Sequence, residues 1–152
     1  MKVDEHFLQH AIALAKQARE RGNHPFGAVL VLDDQVVLAA ENTVNSEANP
    51  TCHAETNLVQ MAVRVLTPEQ IRQATLYTSC EPCAMCAGAM YWAGIRKVVY
   101  ALSCDELATF AGNDFLMPCR ELFARANENV EVAGPFLPDA ARAVHLNFWP
   151  QA

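Results

Sequence analysis

Residues 74–101 read ATLYTSCEPCAMCAGAMYWAGIRKVVYA, and three segments can be read from them. Residues 74–79 are rich in β-branched and aromatic types and predict a strand. A helix is expected to open at Glu81-Pro82, where the missing N–H of a proline is no loss, and to close at Gly94. Residues 97–101 predict a second strand. Upstream, two apolar runs at 26–32 and 35–40 meet at Asp33-Asp34 and read as a hairpin. The stretch 42–51, rich in Asn, Ser and Pro, reads as a loop. A helix is predicted from about residue 53 to 66, burying Leu58, Met61, Ala62 and Val65, with Thr67-Pro68-Glu69 ending it. Downstream, residues 104–116 show no clear period. A helix around 118–127, a short strand at 130–132 and a last helix from about 139 to 147 complete the reading. Strands alternating with helices after a hairpin predict an α/β fold, a three-layer α/β/α sandwich around a central mixed five-stranded sheet.

The chain has 152 residues, 52% of them apolar and 18% charged, which fits one domain with a full hydrophobic core. No repeat, low-complexity run or block of like charge divides it. The amino terminus, MKVDEHFLQHAIALAKQARERG, places Phe7, Leu8, Ala11, Ile12, Leu14, Ala15 and Ala18 on one stripe at helical spacing. Charges interrupt that stripe too often for a signal peptide or a membrane span, so a cytoplasmic protein is expected. The net charge of −6 disfavours a nucleic-acid partner, and the longest basic cluster is Arg96-Lys97. A small uncharged substrate suits this balance.

Six cysteines are present, and Cys80, Cys83 and Cys86 crowd into one motif, which points to metal binding rather than disulfides. His53-Ala54-Glu55 and Pro82-Cys83-Ala84-Met85-Cys86 each open a predicted helix. Zinc accepts imidazole nitrogen and thiolate sulfur, and a helix N-terminus favours thiolate. His53, Cys83 and Cys86 are therefore the candidate ligands of one zinc ion. Three protein ligands leave the fourth position for water, whose ionisation near neutrality provides a nucleophile. Glu55 is the candidate carrier of the protons that such a hydrolysis must move. Cys80 also admits a closed site of three cysteines and one histidine, which would leave Glu55 without a task. Cys52 reads as a small buried apolar residue. His6 and His10, at i and i+4, read as an exposed helix face.

The pair H-x-E and P-C-x-x-C, in this order, is the signature of zinc nucleobase deaminases. With PFGAVLV, Asn42, HAE, LYTSCEPCAMCAGAMYWAG and VVYA in sequence, the chain resembles the cytidine-deaminase-like superfamily and, within it, the small bacterial guanine deaminases. The resemblance implies hydrolytic deamination of a free base, guanine to xanthine first. Cytosine, isocytosine or an aminotriazine follow, then tRNA adenosine, and last a structural zinc module. It further implies that Asn42 bonds a carbonyl or ring nitrogen of the base, and that Phe26 and Trp92 wall the pocket. The backbone of Ala54 and Cys83 would lie near the attacking oxygen, and Asp114 would be a second acid at the leaving amine. Each has a structural alternative: a turn for Asn42 and Asp114, core packing for Phe26 and Trp92. The carboxyl end departs from the guanine deaminase pattern, having no tyrosine, so either Phe148 or Trp149 would close the pocket or the pocket would admit a different base. A homodimer is implied, with the segment 136–152 exchanged between subunits.

Overall fold

A computed structural model describes residues 1–150. Its strands are β1 (Gly27–Leu32), β2 (Gln35–Glu41), β3 (Thr75–Cys80), β4 (Lys97–Leu102) and β5 (Glu131–Ala133). They form one sheet in the order β2-β1-β3-β4-β5. β1 runs antiparallel to β2 and β3, whereas β3, β4 and β5 are parallel. The sheet is mixed and five-stranded, as expected. Asp33 and Asp34 both have left-handed φ, 52° and 59°, the conformation that a two-residue hairpin turn needs to match the strand twist.

The helices are α1 (Glu5–Glu20), α2 (Val44–Glu47), α3 (Ala54–Val65), α4 (Pro68–Gln73), α5 (Ala84–Ala93), α6 (Cys104–Ala111), α7 (Cys119–Phe123) and α8 (Pro138–Ala143). Alternate strand residues face opposite layers. Ala28, Leu30, Leu76, Val98 and Tyr100 pack with Leu58 and Ala62 of α3, Met90 of α5 and Phe123 of α7. Val29, Val31, Tyr77, Val99 and Ala101 pack with Phe7 and Leu8 of α1 and Ala141 of α8. Both faces of the sheet are covered, which makes the three layers. Gly27 sets the spacing of one of them, because a Cβ there would lie 2.4 Å from the Ala11 carbonyl oxygen and 2.6 Å from the Ala15 nitrogen. No helix among the described residues is long and apolar enough to cross a membrane.

Several boundaries differ from expectation, each for a local reason. Thr67-Pro68-Glu69 does not merely end a helix. Thr67 and Gln70 form a reciprocal capping box that opens α4, with Pro68 in its first turn. α5 begins after Cys83, not at Glu81-Pro82, since the Glu81 N–H still bonds the Leu102 carbonyl at 2.8 Å and keeps the chain extended. The buried stripe of α3 is Leu58, Val59 and Ala62, and it excludes Met61 and Val65, which are exposed. The loop 42–51 contains α2, and the unassigned stretch 104–116 contains α6.

α8 stops at Ala143, short of the expected 147, because Arg19 Nη1 donates to the carbonyls of Val144 and Leu146 at 2.9 and 2.6 Å. Arg19 of α1 thereby holds part of the segment expected to be exchanged, whose residues 151 and 152 lie outside the described ones. His145 is only 4% exposed. Its Nδ1 accepts from Trp149 Nε1–H at 3.0 Å, and Phe26 and Phe110 flank its ring. Burial, followed by the Arg19 charge, pushes its pKa down to about 4. The folded chain therefore favours the neutral ring, whereas an unfolded histidine takes up a proton near 6.5. This contribution is complete above about pH 6.5 and is lost as pH falls towards 4, by up to about 3 kcal/mol. Urea denaturation between pH 7 and 4 is expected to show this slope, and His145→Gln to flatten it.

Candidate metal centre and active site

Two helix starts build the site. His53 is the N-cap of α3 and Cys83 the N-cap of α5, and neither side chain makes a capping bond. Both are thereby free to point away from their own helices. Cys86 stands one turn further along α5 and is fully buried. His53 Nδ1 lies 3.6 Å from Cys83 Sγ and 3.5 Å from Cys86 Sγ. Zinc bonds of about 2.3 Å to sulfur and about 2.0 Å to nitrogen, at a tetrahedral angle, separate the two atom types by about 3.6 Å. The residues present fit a zinc ion. Among the described residues they are the one such cluster, and Cys80 is outside it, so three ligands converge and not the four of a closed site.

Of the three donors, the electrostatics favour the metal-binding form at Cys83, while proton sharing with it raises Cys86 and His53. Cys83 is pushed down to about 4, chiefly because the Cys86 thiol donates to it, then because of His53. The same contact with Cys83 raises His53. Cys80, in contrast, is driven well up by burial and behaves as an inert core thiol. Cys52 is buried, as expected.

Glu55 sits in the first turn of α3, 4% exposed. Burial raises its pKa above the ordinary carboxyl range, with a bond to Thr78 opposing the rise. Thr78 Oγ1 lies 2.5 Å from Glu55 Oε1. Ala54, the first residue of α3, is fully buried in a turn whose N–H groups lack intrahelical acceptors. Asn42 is 1% exposed. Its N–H bonds the Phe26 carbonyl, and its Oδ1 accepts from the Val44 N–H at 3.0 Å.

The carboxyl-terminal aromatics pack against His24 and Phe26, just before β1. Trp149 contacts Phe26, His24 and Phe148, with centroids 6.1, 5.6 and 4.9 Å away. Burial, and then the charge of His53, lower the pKa of His24. Two expected residues lie at the surface of the single chain. Trp92 is 87% exposed, half a turn round α5 from core-facing Met90. Asp114 is exposed in the turn between α6 and α7.

The structure adds residues that sequence reasoning missed. Glu81 is buried, and its two oxygens accept from the N–H groups of Cys104 at 3.1 Å and Cys119 at 2.7 Å. It thereby ties the segments after β4 and before α7 to the metal-binding loop. Ser79 Oγ accepts from the Gly27 N–H at 3.1 Å. Position inside the CEPC run was the one available signal for Glu81. His24, Thr78 and His145 gave none.

Known proteins share these features. Residues 1–102 match the family described as the cytidine and deoxycytidylate deaminase zinc-binding region. A probable cytosine deaminase of Schizosaccharomyces pombe is 38% identical over 149 residues, 94% of this chain and 90% of that protein. The guanine deaminase of Bacillus subtilis is 40% identical over 125 residues, 82% and 80% of the two chains. A solved structure of that enzyme covers 89% of this chain and 84% of its own, with a TM-score of 0.66 and 35% identity. A tRNA-specific adenosine deaminase of the same species is 39% identical over 100 residues, 66% of this chain and 62% of its own. With His53, Cys83 and Cys86 gathered at zinc-binding distances and this match over two thirds of its length, the chain belongs to the cytidine and deoxycytidylate deaminase zinc-binding family.

Proposed function

We propose that this deaminase acts on a free nucleobase, converting guanine to xanthine with release of ammonia. The observation that carries the reading is Glu55, a buried carboxyl group with a raised pKa, two residues from a metal ligand. Zinc held by His53, Cys83 and Cys86 supplies Lewis acidity and an activated water. Glu55 would carry one proton of that water to the ring nitrogen, and then the proton left on the added hydroxyl to the amine, which departs as ammonia. The Val44 N–H occupies Asn42 Oδ1, which leaves the Asn42 amide hydrogens for a base carbonyl or ring nitrogen. The backbone of Ala54 and Cys83 would lie close to the attacking oxygen. Phe26, Phe148 and Trp149 offer ring faces and edges to a flat base, each stacked contact contributing about 1–3 kcal/mol.

Cytosine to uracil is the second reading. It is favoured by the alignment with the S. pombe relative, which covers 94% of this chain and 90% of that protein. Both bases carry an amino group on a carbon beside a ring nitrogen, with a ring carbonyl for Asn42. The net charge of −6 supports a small base over tRNA. Ammonia release should be measured with guanine, cytosine, isocytosine, adenine and ammeline. Glu55→Ala is expected to slow the active base by about 10²–10⁴-fold. Turnover of cytosine with guanine inert selects the second reading, and failure of every base by the zinc-loaded enzyme sinks both.

Metal analysis is expected to find one zinc per chain. His53→Ala, Cys83→Ala and Cys86→Ala should each abolish stoichiometric binding, while Cys80→Ala keeps it. Loss of zinc in the Cys80 variant would instead indicate a closed site. We also propose a homodimer, with the segment 136–152 exchanged between its subunits. Met85 and Trp92 are exposed on the outer side of α5, with open space beside Gly88 between them. Light scattering should give twice the chain mass, and Trp92→Glu should halve it. A parent that is already monomeric would rule the dimer out.

A further inference from the structure

Thr78 occupies β3, two residues before its end, with no exposed surface. Its hydroxyl oxygen lies 2.5 Å from Glu55 Oε1 and 2.9 Å from the carbonyl oxygen of Cys80. A hydroxyl has one proton to give and two lone pairs to accept with. An ionised carboxylate and a carbonyl are both acceptors, so Thr78 can satisfy only one of them at a time. If the carboxyl carries a proton on Oε1, the same three atoms form a directed chain, from Glu55 to Thr78 to the Cys80 carbonyl. Either state of Glu55 is thus accommodated by rotation of one C–O bond, with no heavy atom displaced.

We propose that Thr78 is the positioning residue for Glu55, holding the carboxyl group by Oε1 so that Oε2 is presented to the reacting atoms. The assignment rests on Glu55 being the proton carrier. Thr78 links α3, which carries Glu55 and follows His53, to the strand that runs into the Cys83 loop. The carboxyl group is thereby oriented by the same strand that positions the second half of the metal site. A valine at 78 keeps the shape and removes the hydroxyl. It leaves Oε1 buried without a partner and the carboxyl free to turn. The sequence contains no hint of this, since Thr78 reads as an ordinary β-branched strand residue.

The experiment compares Thr78→Val, Thr78→Ser, Glu55→Gln and the Glu55→Gln/Thr78→Val pair on the base that turns over, with zinc content measured for each. Thr78→Val is expected to lower kcat about 10–100-fold, the usual range for losing a partner that orients an active-site group. KM should stay within about twofold and zinc content should not change. Thr78→Ser should recover most of the rate, and the double variant should be no slower than Glu55→Gln. Parental activity in Thr78→Val beside a dead Glu55→Gln overturns the assignment. So does equal loss in the valine and serine variants, or a double variant slower than Glu55→Gln. Should Thr78→Val fail to fold, Thr78→Ala is judged by the same criteria. Full activity of Glu55→Gln would instead remove the proton-carrier reading. A crystal structure of Thr78→Val then decides the contact: an unmoved Glu55 refutes it and a rotated one upholds it.

Discussion

Two helix N-termini aimed at one point constrain this molecule more than any other feature. α3 and α5 each begin with a residue that forgoes its own capping bond and offers its side chain to the space between them. The amides of those first turns carry partial positive charge. That field favours the thiolate of Cys83, and a cation bound there must rely on the soft donors themselves. The sandwich exists to hold the two starts in register. β3 runs directly into the Cys83 loop, and Leu58 and Ala62 of α3 lie in the same core cluster as Ala87 and Met90 of α5. The ligand geometry therefore inherits the rigidity of the core, which is close-packed and deforms little.

Around that point, buried carboxyl groups divide two tasks by their surroundings. Glu81 accepts from two backbone N–H groups and closes loops that would otherwise be free. Glu55 meets the Thr78 hydroxyl, and burial is the chief cause of its raised pKa. A carboxylate given two amide donors is held as a structural tie, whereas desolvation that outweighs its hydrogen bonds favours the protonated form. The two residues belong to the two halves of the same motif pair.

What could be read in the sequence was local. His53, Glu55, Cys83 and Cys86 declare themselves by spacing, because a helix start fixes where residues two or three apart will point. The strands were legible for the same reason, through composition and the hairpin at Asp33-Asp34. Misreadings came where one signal served two purposes. Thr67-Pro68 both ends one helix and caps the next, and Met61 and Val65 carry an apolar period past the part of α3 that meets the core. Trp92 and Asp114 were placed by likeness to other chains, and their exposure here depends on what α5 and the following turns face. His24 and His145 meet across some 120 residues of chain through Trp149. Such a contact leaves no trace in a window of neighbours.

The missing side chain at Gly27 has a wider reach than its size implies. With nothing between them, β1 and α1 touch backbone to backbone, and α1 cannot settle at another height. Arg19, near the end of that helix, grips the carbonyls of Val144 and Leu146, and between them His145 brings its ring against Phe26. The seat of the aromatic tail is thus surveyed from a fixed benchmark, the backbone contact of β1 with α1. The platform beneath the tail has no room to drift.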